Sequence, residues 1–141
     1  MALQFAVSRP IAAAPERVWA LLADTAAWKA WNPTIISIDG SVALGSRIRL
    51  VSTANPKRAF SLTVNELAPP RRMVWADGMP LGLFRGVRTY EVTPGTDGAC
   101  MFSMTEVYSG ALLGMIGKSI PDLGPSFQQF ADGLKAAAER R

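Results

Sequence analysis

The chain has 141 residues, 49% of them hydrophobic and 18% charged, a globular composition for one domain spanning 1–141 that buries roughly 68–70% of its unfolded surface. Fifteen Lys+Arg against 11 Asp+Glu give a formal charge of +4, but the basic residues are scattered over turns and strand ends rather than interleaved with aromatics on one face, so no nucleic-acid partner is expected. The lack of histidine and the single Cys100 remove the usual general base, the commonest metal ligand, any Ser/His or Cys/His nucleophilic pair and any internal disulfide.

In chain order, Leu3, Phe5 and Val7 alternate with Gln4, Ala6 and Ser8, the period of a half-buried strand that resumes at Ile11 after Arg9-Pro10. Pro15 then opens a helix in its first turn, with Glu16 near the positive end and Val18, Leu21 and Leu22 on one face. Asp24 or Thr25 is placed to cap a second short helix running from Trp28 to Trp31 and closed by Asn32-Pro33. Trp19 and Trp28 are assigned to packing of this helical cap.

Turn signals follow at short intervals: Asp39-Gly40, Asn55-Pro56, Pro69-Pro70, Asp77-Gly78, Pro94-Gly95 and Asp97-Gly98. Between them Ile35–Ile38, Arg47–Thr53, Arg58–Leu67, Met73–Ala76, Leu83–Val92 and Ala99–Tyr108 read as strands of an antiparallel meander. With the first strand they make seven. From Leu112 onward Ile116, Ile120, Leu123, Phe127, Phe130, Leu134 and Ala138 recur every three or four residues, one apolar face of a long helix. Pro121 and Pro125 predict a break near Ser119–Pro121, with Asp122 capping the main helix and Pro125 in its first turn.

The opening IAAAPERVWALLADTAAWKAWNP, the strand pair RGVRTYEVTPGTDGACMFSMTEVYSG and the ending FQQFADGLKAAAERR resemble the START-like, Bet v1-like superfamily (SRPBCC), in particular its bacterial polyketide cyclase/dehydrase and lipid-transport branch. The resemblance implies an α+β helix-grip fold. A seven-stranded antiparallel sheet curves around the long C-terminal helix, two short helices follow strand 1, and a cavity lies between sheet and helix. It also implies binding or transformation of a small hydrophobic molecule such as a lipid, polyketide or aromatic compound. The superfamily shares no catalytic set, so no catalytic residue carries over, and neither cofactor nor metal is expected.

Within that frame the polar candidates are Arg88 and Glu106. Arg88 shares a strand face with Tyr90, and Glu106 shares one with Met104 and Tyr108. If both faces look at the helix, a charge pair sits inside the cavity, where charged groups rarely go unpartnered. The apolar ligand-binding candidates are Trp31, Trp75, Phe84, Tyr90, Met104, Tyr108, Met115, Phe127 and Phe130, aromatic and methionine side chains of the kind that fill cores and line pockets alike. The apolar loop Asp77–Gly82 and the glycine-containing helix near Met115 are expected to gate the cavity.

The first reading is therefore a carrier of a small hydrophobic ligand. The alternatives are a cyclase/dehydratase-type enzyme using Glu106, Arg88 or Tyr90 for proton transfer or enolate stabilisation, and a ligand-free protein-interaction module, which a solid interior would favour. The N-terminus MALQFAVSRP lacks a charged start and an apolar h-region, no apolar run approaches the ~20 residues of a membrane span, and one cysteine fits a reducing compartment. A cytoplasmic monomer or homodimer is expected.

Overall fold

The structure, a computed structural model, describes residues 2–140. Seven antiparallel strands form one sheet in the order β1-β7-β6-β5-β4-β3-β2: β1 (Leu3–Ile11), β2 (Ile35–Asp39), β3 (Arg47–Ser52), β4 (Phe60–Ala68), β5 (Arg72–Gly78), β6 (Arg85–Pro94) and β7 (Cys100–Ser109). Consecutive strands from β2 to β7 pair as a meander, and β1 crosses to the far edge to pair with β7, Leu3 opposite Tyr108 and Ile11 opposite Cys100. Register shifts between Ile35 and Ser37 and between Val64 and Glu66 are irregularities of the kind that bend a strand and increase its twist.

Between β1 and β2 lie α1 (Pro15–Ala23), a 3-10 turn (Thr25–Ala27) and α2 (Trp28–Trp31). Neither Asp24 nor Thr25 caps a helix through its side chain. The Thr25 hydroxyl instead donates to the Gly40 carbonyl at 2.5 Å, tying the helical segment to the end of β2. Trp28 is also deeper than a cap residue: it is fully buried, stacks on Trp75 with ring centroids 5.4 Å apart, and donates its indole N–H to the Leu22 carbonyl at 3.0 Å.

The expected apolar stripe from Leu112 to Ala138 is split where its prolines and glycines required. A short α3 (Leu113–Ile116) and a 3-10 turn (Gly117–Ser119) precede the long α4 (Gly124–Glu139). Asp122 Oδ1 accepts from the Gly124 amide at 2.9 Å, one of the donors that a helix start leaves without a partner. Pro125 lies in the first turn.

Polar anchors hold α4 to β1 and α1. Arg9 Nε bonds Asp132 at 2.9 Å and its Nη2 donates to Gln128, while Lys135 donates to the Pro10 carbonyl at 2.6 Å and to Glu139 at 2.7 Å. Arg17 caps the helix C-terminus, donating to the carbonyls of Ala138 (2.6 Å), Ala137 (3.3 Å) and Arg140 (2.8 Å), where a cation is favoured by the unsatisfied carbonyls. At Gly133, a Cβ would fall 2.2 Å from the Trp31 carbonyl oxygen. Only glycine lets α2 and α4 approach this closely.

Candidate functional site: a cavity with one polar cluster

The inner face of the sheet and α4 do not meet along their whole length. The C-terminal half of α4 packs Leu134, Ala137 and Ala138 into the core. Its N-terminal half, through Ser126, Phe127 and Phe130 with Leu123 just before it, instead borders a cavity of about 750 Å³ whose other walls come from β2 to β7 and from the end of α3 and the residues after it. That volume falls within the range of small-molecule sites, ~300–1,000 Å³.

Alternation along β5, β6 and β7 decides which side chains reach the cavity. Trp75, Arg88 and Glu106 stand directly opposite one another across the three strands, and all three line the cavity, as do Phe84, Tyr90, Met104, Tyr108, Phe127 and Phe130. The remaining two candidates do not. Trp31 is buried against Phe130 and Trp28, with centroids 5.3 and 5.5 Å away, because α2 turns it behind Phe130. Met115 is 76% exposed, because it stands off the apolar stripe on which Ile116 and Ile120 face the cavity. Ile116 lines the cavity in its place.

At the centre is a satisfied ion pair. Arg88 Nε and Nη2 donate to Glu106 Oε1 and Oε2 at 3.0 and 3.2 Å, and the Tyr108 hydroxyl donates to Oε2 at 2.7 Å. The Arg88 guanidinium also lies over the Phe127 ring, 5.0 Å from its centroid, so charge and aromatic face reinforce each other. Burial works to strip the proton from Arg88, but Glu106, Tyr90 and Tyr108 together outweigh it and hold the guanidinium above its usual value. Burial, then Glu106, pushes the Tyr108 phenol up. Burial likewise pushes Tyr90 up to about 12 against the opposing pull of Arg88, so both phenols stay protonated at neutral pH. Tyr90 Oη and Trp75 Nε1 are buried without a hydrogen-bond partner.

Asp77 is a site residue that the Asp-Gly turn signal concealed. It lies on β5, opposite Gly86 of β6, which is in turn opposite Tyr108 of β7. A Cβ at Gly86 would stand 3.1 Å from both Asp77 Oδ1 and Tyr108 Cε1, so the glycine leaves room for a carboxylate and a phenol to converge. Burial, then Glu106, raises the Asp77 pKa, with Arg58 and Arg88 opposing. Arg58, read from sequence as the start of a strand, precedes β4 and lies over the Phe60 ring at 4.9 Å, on the cavity wall. Among the described residues no group of three or more His, Cys, Asp or Glu could hold a metal ion.

The expected gate segments adjoin one another. The Leu112 amide donates to the Leu83 carbonyl at 2.8 Å, joining the β5–β6 loop to the segment after β7. Leu81, in the β5–β6 loop, is 96% exposed.

Solved structures share this architecture. Norcoclaurine synthase from Thalictrum flavum, as a point mutant in complex with a transition-state analogue, superposes with a TM-score of 0.72 at 11% identity over 98% of this chain and 94% of that one. A protein of unknown function from Staphylococcus aureus gives 0.70 at 15% identity over 99% and 94%, and a protein from Chromobacterium violaceum 0.65 at 24% identity over 98% of each. At these identities the likeness speaks for the fold, a helix-grip of the Bet v1-like kind. No curated protein matches the chain in sequence. The sequence does match the profile described as polyketide cyclase / dehydrase and lipid transport, over residues 2–139. With the match running through every strand and helix that walls the cavity, the chain belongs to the polyketide cyclase/dehydrase and lipid-transport family.

Proposed function

We propose that the protein binds a small hydrophobic molecule of lipid, polyketide or aromatic type in the cavity between the curved sheet and the N-terminal half of α4. The observation that carries this reading is the cavity of about 750 Å³, walled by Phe84, Met104, Phe127 and Phe130 with one polar cluster, Arg88–Glu106–Tyr108, on its sheet side. Apolar contact supplies the affinity, at roughly 25 cal/mol per Å² of ligand surface removed from water, and the cluster orients the ligand's polar group. The adjoining β5–β6 loop and α3 serve as the gate. Native mass spectrometry of the protein purified from its own host tests the reading. A retained small molecule, released on unfolding, is expected. A ligand-free chain that also takes up none of a panel of fatty acids and polycyclic phenols would refute it.

The enzyme reading, a cyclase or dehydratase working by acid/base chemistry, draws on Asp77, a carboxyl facing the cavity beside Tyr108. Its raised pKa moves it toward the range in which a carboxyl exchanges protons near neutrality. A bound ligand recovered with the loss of water after incubation supports this reading, and one recovered unchanged supports carriage alone.

A further inference from the structure

The strand order brings three connections to one end of the sheet: residues 53–59 between β3 and β4, 79–84 between β5 and β6, and 110–123 after β7. Each contributes to the cavity wall, through Arg58, Phe84 and Ile120 among others. Two properties separate this end from the rest of the surface.

The first is apolar exposure. Seven large hydrophobic side chains are exposed among the described residues, and four of them, Met79, Leu81, Leu83 and Met115, stand on two of these three connections. Leu81 is 96% exposed and holds a φ of 62°, a left-handed conformation that a bulky residue rarely adopts. A leucine held out in that conformation contributes nothing to this chain's own core. The two connections are also fastened together, by the Leu112–Leu83 backbone bond and by Gly110, whose missing Cβ would fall 2.5 Å from the Leu83 carbonyl.

The second is charge. Residues 53–59, 79–85 and 110–123, the β5–β6 connection taken with the first residue of β6, hold Lys57, Arg58, Arg85 and Lys118 against Asp122 alone. Over the rest of the chain the remaining eleven basic residues face ten acidic ones, so most of the formal excess of +4 belongs to this end. Apolar tips ringed by cations suit a surface that is negatively charged outside and oily beneath. Two copies meeting through the same face would place like charges against each other.

We propose that this end docks the protein onto an anionic lipid bilayer, with Leu81 and Met115 leading Met79 and Leu83 into the boundary between headgroups and acyl chains, and with the four cations against the headgroups. Docking of this kind is peripheral. No described helix is long and apolar enough to cross a membrane. It does not depend on what the cavity holds, so it stands or falls separately from the ligand reading.

Co-sedimentation with phosphatidylcholine vesicles, with and without phosphatidylglycerol, tests it. Binding to the anionic vesicles is expected, weakened by raising NaCl from about 0.1 to about 0.5 M and much reduced on pure phosphatidylcholine. The double variant L81S/M115S should partition about tenfold or more weakly, since each apolar side chain withdrawn forfeits a tenfold-scale contribution. Leu44→Ser, at an exposed leucine in the β2–β3 loop, should bind as the parent does. All three proteins should share one circular-dichroism spectrum, because the altered side chains are exposed. No binding to anionic vesicles, or undiminished binding by L81S/M115S, overturns the proposal. So does a dimer that L81S/M115S dissociates in the absence of vesicle binding.

Discussion

Replacing Arg88 with methionine keeps an unbranched apolar stem and removes the guanidinium, which probes the contribution of the ion pair to folding. Glu106 has 8% of its side chain exposed, and it would lose two of its three hydrogen bonds, those of 3.0 and 3.2 Å, keeping only the 2.7 Å bond from Tyr108. Stranding one member of a buried pair costs about 3–5 kcal/mol, and the bordering cavity, which water can enter, pulls the expectation for Arg88→Met to the low end of that range. Against a total stability of about 5–15 kcal/mol, this is a large fraction. With an m-value of roughly 1–3 kcal/mol/M, the urea midpoint followed by far-UV circular dichroism should fall by about 1–3 M. The double variant R88M/E106L should recover most of the loss, leaving about 1 kcal/mol or more for the Tyr108 hydroxyl deprived of its acceptor. If Arg88→Met costs less than about 1 kcal/mol, or if the double variant is less stable than the single, the pair is not the buried, mutually dependent unit described above.

Two further outcomes follow from the geometry. Because the Asp77 pKa is raised above the ordinary 3.8, the folded state holds this proton more tightly than the unfolded chain. The associated stability is complete below pH 3.8 and is lost as pH rises through the raised value. Asp77→Asn, which cannot ionise, should therefore gain on the parent as pH climbs through this window, and parallel stability curves in urea titrations across it would contradict the assignment. Gly133→Ala sets a methyl 2.2 Å from the Trp31 carbonyl oxygen. Backbone on both sides resists relaxation, so a loss of about 1–3 kcal/mol is expected in calorimetry, and an unchanged melting temperature would show that α2 can give way.

Most of the sheet was legible in the chain because its turns are written in Gly, Pro, Asn and Asp and its strands in alternation. Counting along two strands groups Arg88 with Tyr90 and Glu106 with Met104 and Tyr108, and the register and the cavity wall turn both groups inward. The errors have local causes. Met115 suits a pocket wall by residue type, but it stands beside the apolar stripe rather than on it and points out, while Ile116 faces the cavity. Trp31 was counted as a wall because its residue type suits one, yet the orientation of a one-turn helix depends on tertiary contacts such as the Trp31–Gly133 approach. Asp77-Gly78 read as a turn, but the strand runs on to Gly78, where a Cβ would meet the Phe84 carbonyl oxygen at 2.3 Å. The cavity itself has no sequence signature beyond a surplus of apolar residues. A void is set by the difference between two curved surfaces, and periodicity describes each surface alone.

The anchors of α4 lie between Gln128 and Arg140, on β1 and α1, whereas its cavity-facing residues lie between Leu123 and Phe130. The helix is thus mounted as a cantilever, clamped at its distal end and overhanging at the other. Substitutions along the overhang can reshape the chamber without loosening the clamp, so on the ligand-binding proposal one scaffold would drift among differently shaped guests while its folding remains underwritten elsewhere.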